Sequence, residues 1–354
     1  MPTVTLIPGD GIGPEVSGAT RKVVDALGCG IDWEVHDAGI PAIETHANPL
    51  PPHVLDSIRR NRVALKGPVT TPVGSGFRSI NVALRQELDL FASVRPCRLY
   101  PGVPSHFEAV DIVVVRENTE DLYEGIEFEQ GSDRLEKLRG YLKYKHNFVI
   151  APDAGVSVKP ISISATRSIV EFAFEYAKRH RRRKVTLGHK ANIMRFSDGL
   201  WLETGEKLAE KYREVGFEAL QVDELAMWLA WTPNEMDVLV LPNLYGDIIS
   251  DLCAGLVGGL GLAPGMNLGK EYAVFEPTHG SAPDIAGKGL ANPIAMILSS
   301  VFMLRHLGFN DEGHRLEKAV AAVLAEGKVR PPDMHPHGDP ATTDQVADAI
   351  IESL

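Results

Sequence analysis

Short apolar runs, interleaved with stretches of helical periodicity, constrain this chain more than any other feature. Ile112–Val115 sets four β-branched residues in a row, the pattern of a strand buried on both faces. Val4–Ile7, Val63–Leu65, Lys184–Leu187 and Asp237–Leu241 read as further strands, and Val63–Leu65 runs into Lys66-Gly67-Pro68. Glu15–Leu27, Ser164–His180, Asp198–Val215, Pro293–Leu307 and His314–Glu326 carry apolar residues at helical spacing. Strands alternating with helices predict an α/β protein with a mainly parallel sheet. A length of 354 residues suggests about two domains. The polar stretch 131–156 is the least regular part and reads as an arm projecting from the body.

Charge and cysteine content narrow the function classes. A net charge of −11 argues against a general nucleic-acid or anionic-membrane binder. The run Arg179-His180-Arg181-Arg182-Arg183-Lys184 is therefore expected to be a solvated helix C-terminus, where cations complement the dipole. The three cysteines, Cys29, Cys97 and Cys253, are far apart without CxxC spacing, which predicts free thiols in a reducing compartment. No run of about 20 apolar residues occurs, and no secretory pattern opens the chain, so a cytoplasmic, membrane-free protein is expected.

Several motifs could carry chemistry. Gly9-Asp10-Gly11-Ile12-Gly13-Pro14-Glu15 follows a strand and opens a helix, but its spacing is not G-x-G-x-x-G, and a tight structural turn is the expectation. Asn243-Leu244-Tyr245-Gly246-Asp247-Ile248-Ile249-Ser250-Asp251 begins at a strand's carboxyl end, where α/β folds bind ligands. A helix there sets Asp247 and Asp251 on one face, and a hard cation such as Mg²⁺ or Mn²⁺ would relieve their repulsion. Asp223 could supply a third carboxylate. Arg85, Arg95 and Arg116 fall at element ends and suit a ligand with several carboxylates, although each alone could be a surface ion pair. The turn-rich loop from Glu276 through His279 to Gly287 contains Asp284, whose carboxylate could take an adenosine ribose and repel a 2′-phosphate. The histidines give no zinc pattern, and His335-Pro336-His337 lacks an accompanying ligand pair.

Taken together, IPGDGIGPE, KGPVTTPVGSGFRSINVALRQELDLFASVRP, VVRENTEDLYEGIE, GHKANIM, NLYGDIISDL and EPTHGSAPDIAGKGLANP occur in an order that resembles the isocitrate/3-isopropylmalate dehydrogenase family, the β-decarboxylating dehydrogenases. The resemblance spans essentially the whole chain. It implies a large cofactor-side domain from 1–92 and 255–354, a smaller α/β domain from 93–254, and a dimer clasp at about 127–158. Within the family, Ser79-Ile80-Asn81 ahead of Arg85 looks like the isocitrate branch. Polar side chains there would be left unpaired by an isopropyl group, at ~1–3 kcal/mol each.

By the same resemblance, Lys66, Thr71, Ser79, Asn81, Arg85, Arg95 and Arg116 bind substrate, with Tyr123 and Lys190 as substrate-contacting acid/base residues. Asp223, Asp247 and Asp251 hold Mg²⁺ or Mn²⁺. Asn192, Glu276, His279, Gly280, Ser281, Ala282, Asp284, Ile285 and Asn292 bind the cofactor, and Asp284-Ile285 in place of Lys-Tyr implies NAD. The active site is shared in a homodimer, with Lys190, Asn192 and Asp223 coming from the partner copy. The implied reaction is oxidative decarboxylation of isocitrate to 2-oxoglutarate. Homoisocitrate, tartrate, isopropylmalate or a phosphonate analogue are the alternative substrates, and a silent regulatory subunit is the alternative role. Glu224 after Asp223, Trp228, Trp231 and the tail 331–337 depart from the usual family pattern.

Overall fold

A computed structural model describes residues 1–71, 79–334 and 339–354. In chain order the strands are β1 (Thr3–Ile7), β2 (Asp32–Val35), β3 (Val63–Lys66), β4 (Ala92–Arg98), β5 (Asp111–Glu117), β6 (Glu127–Phe128), β7 (Val156–Ser157), β8 (Lys184–His189), β9 (Gly216–Gln221), β10 (Val238–Leu241), β11 (Pro264–Leu268) and β12 (Ala273–Pro277). The helices are α1 (Gly13–Ala26), α2 (Ile40–His46), α3 (Pro52–Asn61), α4 (Ile80–Glu87), α5 (Asp133–His146), α6 (Ile163–Arg179), α7 (Asp198–Ala209), α8 (Val222–Trp231), α9 (Asn243–Leu256), α10 (Ile294–His306), α11 (Asn310–Glu326) and α12 (Thr343–Glu352).

One continuous sheet runs β2-β1-β3-β12-β11-β4-β5-β10-β8-β9. The α/β expectation holds, and the flanks are parallel, but β4 and β11 run antiparallel to their neighbours at the centre. β3, β5 and β10 lie at or near the middle, and their apolar runs are fully covered by helices. The main core packs α6 and α7 on β5, β8 and β10 through Phe174, Trp201 and Leu187. A second core packs α1, α10, α11 and α12 together.

Two expectations need correction. The helix predicted to reach Val215 ends at Ala209; Tyr212 and Val215 are buried, but they belong to the turn that leads into β9. The stretch 131–156 is irregular only in part: it holds the 14-residue helix α5, capped by Ser132 on the Leu135 amide, and 147–155 carry no helix or strand. Only Leu135 of that helix is buried, which is why apolar periodicity did not reveal it. β6 and β7 pair at its base, and Tyr141, Tyr144, Phe148 and Val149 lie exposed along it. No helix among the described residues is long and apolar enough to cross a membrane.

Candidate active site

The central strands end in a cavity of about 370 Å³. β3 contributes Lys66, β4 contributes Ser93 and Arg95, β11 contributes Asn267, and β12 contributes Glu276. Asn81 and Arg85 reach the cavity from α4. Lys66 Nζ lies 2.6 Å from Glu276 and also donates to the Gly67 carbonyl at 2.9 Å. Arg85 lies 3.7 Å from Glu276, and Asn267 donates to it at 2.7 Å. Burial alone would push the Glu276 carboxyl up, but the Lys66 and Arg85 cations outweigh it and hold the group at about 2. Asn81 Oδ1 is buried without a partner, and Thr71 donates to the Ser79 hydroxyl at 3.3 Å.

Beside this cavity, α9 lies against β5. Arg116 donates to Asn243 Oδ1 through Nε at 2.9 Å and Nη2 at 2.7 Å, and pairs with Asp247. A Cβ on Gly246 would sit 2.6 Å from Arg116 Cγ, so only glycine lets α9 pack this closely. Arg95 donates to Ser250 Oγ at 2.6 Å, and lies 3.3 Å from both Asp247 and Asp251. Tyr123 donates to Asp247, and its ring lies 4.7 Å from the Arg116 guanidinium. Burial, together with repulsion from Arg85 and Arg95, lowers Arg116 to about 9, and three arginines converge on one place. Burial and the bond to Asp247 raise Tyr123 and keep its phenol protonated.

The start of α9 is fixed by residues the sequence reading passed over. Asp121 is fully buried at φ +71° and accepts from the Leu244 amide at 2.9 Å, while Asn243 donates to the Glu120 carbonyl at 3.1 Å. Ser93, Asn118, Ser250 and Asn267 were also missed. Ser93, Asn118 and Ser250 fall within the motif segments and Asn267 between two of them, and only their place on a strand or helix face would have marked them.

Lys190 and Asp223 form a second cluster at the end of β8. Lys190 Nζ lies 2.5 Å from Asp223 and 3.4 Å from Gln221. That bond holds the Asp223 carboxyl below the usual carboxylate range. Asp223 and Asn192 are exposed, and neither they nor Lys190 line the cavity. The expected metal ligands are therefore split within one chain: Asp247 and Asp251 share α9, and Asp223 stands with Lys190. Among the described residues no group of three His, Cys, Asp or Glu side chains is placed to hold an ion. Asp247 and Asp251 are hard oxygen donors spaced one helical turn apart, and they fit two ligands of a Mg²⁺ or Mn²⁺ site.

The loop expected to hold the cofactor follows β12. His279, Gly280 and Ser281 line the same cavity, and burial lowers His279, whose Nε2 has no partner. Ala282 sits at φ +37°, Asp284 is exposed in a short helical turn with Ile285, and Asn292 donates to Asp333 at 3.1 Å. These last residues do not line the cavity. The N-terminal glycine turn supports the loop. The Ile12 amide donates to the Ser281 carbonyl at 2.8 Å, and a Cβ on Gly11 would meet that oxygen at 2.1 Å. Trp228 and Trp231 stack at 5.8 Å, and Trp231 is exposed. His335 and His337 lie outside the described residues.

A family model described as "Isocitrate/isopropylmalate dehydrogenase" matches residues 3–350. The chain is 46% identical over 353 residues to the mitochondrial isocitrate dehydrogenase [NAD] catalytic subunit 5 of Arabidopsis thaliana, covering 99% of this chain and 88% of that one. It is also 46% identical over 326 residues to the chloroplastic 3-isopropylmalate dehydrogenase of Solanum tuberosum, covering 92% and 86%. The crystal structure of isocitrate dehydrogenase from Methylococcus capsulatus superposes with a TM-score of 0.91 at 46% identity, over 100% of this chain and 99% of that one. A mixed sheet of this order, with three arginines and an Asp-bearing helix gathered at its centre, defines an α/β dehydrogenase fold. The chain belongs to the isocitrate/isopropylmalate dehydrogenase family.

Proposed function

We propose that this protein oxidatively decarboxylates isocitrate to 2-oxoglutarate and CO₂ with NAD and a divalent metal. Relatives of equal identity are named for two substrates, so the choice rests on the site. The observation that carries it is the concentration of cations on one cavity, where Lys66, Arg85 and Arg95 share the lining with the polar Asn81. An apolar substrate group would leave the Asn81 amide unsatisfied, at ~1–3 kcal/mol. A third carboxylate instead brings an anion to a cation-rich site and accepts from the Ser79 hydroxyl and the Asn81 amide nitrogen.

In this reading Arg85, Arg95 and Arg116 orient the substrate carboxylates. Lys190 of a second copy takes the C2 hydroxyl proton, and the protonated Tyr123 delivers a proton to C3. When bound, NAD supplies the hydride acceptor and Mg²⁺ or Mn²⁺ on Asp247, Asp251 and the second copy's Asp223 supplies Lewis-acid polarisation. His279 through Ile285, with Asn192, Glu276 and Asn292, hold the cofactor, and Asp284 selects NAD over NADP. The separation of Lys190 and Asp223 from the cavity supports a shared site, and the exposed arm on α5 supports a clasp. Relatives named as catalytic subunits lend no support to a homodimer of identical chains, and those named mitochondrial lend none to the cytoplasm. The free cysteines support a reducing compartment. The sheet order supports the two-domain division: β1–β3, β11 and β12 fill one half, and β4, β5 and β8–β10 the other.

The test follows absorbance of reduced nicotinamide, crossing isocitrate, homoisocitrate and isopropylmalate with NAD and NADP in the presence of Mg²⁺. Fast reduction with isocitrate and NAD, abolished by a chelator, is expected. Turnover with isopropylmalate instead would overturn the substrate reading.

A further inference from the structure

A strand has two faces, and the central strands use both. Arg95, Asn267 and Glu276 face the cavity described above, while Arg98, Met266 and Phe275, on the same three strands, face a second cavity. The second cavity has a volume of about 750 Å³, within the range of about 300–1,000 Å³ typical of small-molecule sites. Its other walls are the C-terminal ends of α6 and α10 and the segments that follow them.

Two kinds of side chain meet there. Phe172, Tyr176, Phe275 and Phe302 supply aromatic surface. Five arginines (Arg98, Arg179, Arg181, Arg182 and Arg305) face three carboxylates (Asp111, Glu175 and Glu317), an excess of two positive charges on a chain of net −11.

The basic run 179–184 divides at this point. Arg182 pairs with Asp111 at 2.6 Å and Asp237 at 3.1 Å, and Lys184 pairs with Glu218 at 2.6 Å. These are structural cations. Arg179 and Arg181 are exposed, line the cavity, and form no ion pair among the described residues. A helix C-terminus favours a cation nearby, but that preference does not call for an aromatic-walled cavity beside it. Guanidinium groups bind phosphate bidentately, and aromatic faces stack planar bases.

We propose that this reverse-face cavity binds a nucleoside phosphate, with its base against the Phe172–Phe302 side and its phosphates on Arg179 and Arg181. The proposal goes beyond the dehydrogenase reading and does not depend on it.

The test is calorimetric titration of the full chain with ADP, alone and in excess NAD, alongside inorganic pyrophosphate. Arg179→Glu/Arg181→Glu changes two exposed side chains away from the substrate cavity, and circular dichroism checks its fold. One ADP site per chain is expected to persist in excess NAD, to weaken at least tenfold in the double variant, and to bind pyrophosphate at least tenfold less tightly than ADP. Loss of all ADP binding in excess NAD would assign it to the cofactor loop and overturn the proposal. So would unchanged affinity in the double variant, or pyrophosphate binding as tight as ADP.

Discussion

Glu276→Gln tests the electrostatics at the centre of the site. The side chain keeps its shape and its bond from Asn267, but Lys66, with 2% of its side chain exposed, loses its counter-ion at 2.6 Å. Removing one member of a buried ion pair costs about 3–5 kcal/mol. An independent figure comes from titration. A carboxyl held at about 2 in place of its ordinary 4.5 is worth about 3 kcal/mol near neutral pH. At about 2 °C per kcal/mol for a chain of this size, the variant should melt roughly 6–10 °C below the parent at pH 7. Because the folded-state value is depressed, the advantage is present above 4.5 and is lost as pH falls towards 2. Scanning calorimetry between pH 7 and pH 3 should therefore show the gap narrowing on acidification. A second variant, Lys66→Met/Glu276→Met, removes both charges and should recover most of the stability while losing substrate binding. A Glu276→Gln melting point within about 1 °C of the parent, or a gap indifferent to pH, would refute the reasoning.

Glu120 is the opposite case: burial pushes its carboxyl up to about 7, and the bond from the Ser162 amide only partly offsets this. A raised carboxyl gives stability that is complete below its ordinary 4.5 and lost as pH rises through 7, so Glu120→Gln should gain stability relative to the parent between pH 5 and pH 8, read as a difference in melting temperature. Asp284→Lys/Ile285→Tyr should move the ratio of kcat/KM for NAD over NADP towards NADP by at least tenfold; an unmoved ratio would remove Asp284 from the ribose. Tyr123→Phe and Lys190→Met should each abolish most turnover, and co-expression of the two should restore about a quarter of parental activity, since half the dimers are hybrids with one native site of two. Activity no higher than that of the separate variants would place both residues in one chain's site.

What was legible in the sequence depended on periodicity. Ile112–Val115 could only be a buried strand, and Asp247 and Asp251 could only share a face once α9 was assigned. β2, with the sequence Asp-Trp-Glu-Val, shows no apolar run, because its edge position leaves it half exposed. α5 failed for the same reason in helical form. The antiparallel pair β11 and β12 was hidden by proline and glycine at its ends, residues that read as loop until neighbouring strands supply the pairing. Asp121 acts through a left-handed backbone and a bond to another segment's amide, and no local pattern encodes either. The separation of Asp223 from Asp247 and Asp251 was likewise invisible to spacing, since residue order does not say which distant segments the fold brings together.

The glycine turn at residues 9–13 shows how a small-residue motif can serve another loop of the same chain. Asp10 accepts from the Thr70 amide at 2.7 Å and its hydroxyl at 2.6 Å, and Thr70 Oγ1 in turn lies 2.6 Å from the Ser281 hydroxyl. Asp10 also accepts from the Ile40 amide at 3.1 Å, so one buried carboxylate ties three loops together. Gly11 completes the contact by letting the Ser281 carbonyl approach where a side chain would stand, at φ +61°. The turn therefore sets Gly11 against the back of the loop that carries His279 and Gly9 against the Pro68 carbonyl. Glycine-rich sequence at a strand's end marks close approach, and whether a ligand or another loop makes that approach is decided by what the rest of the chain brings to the place.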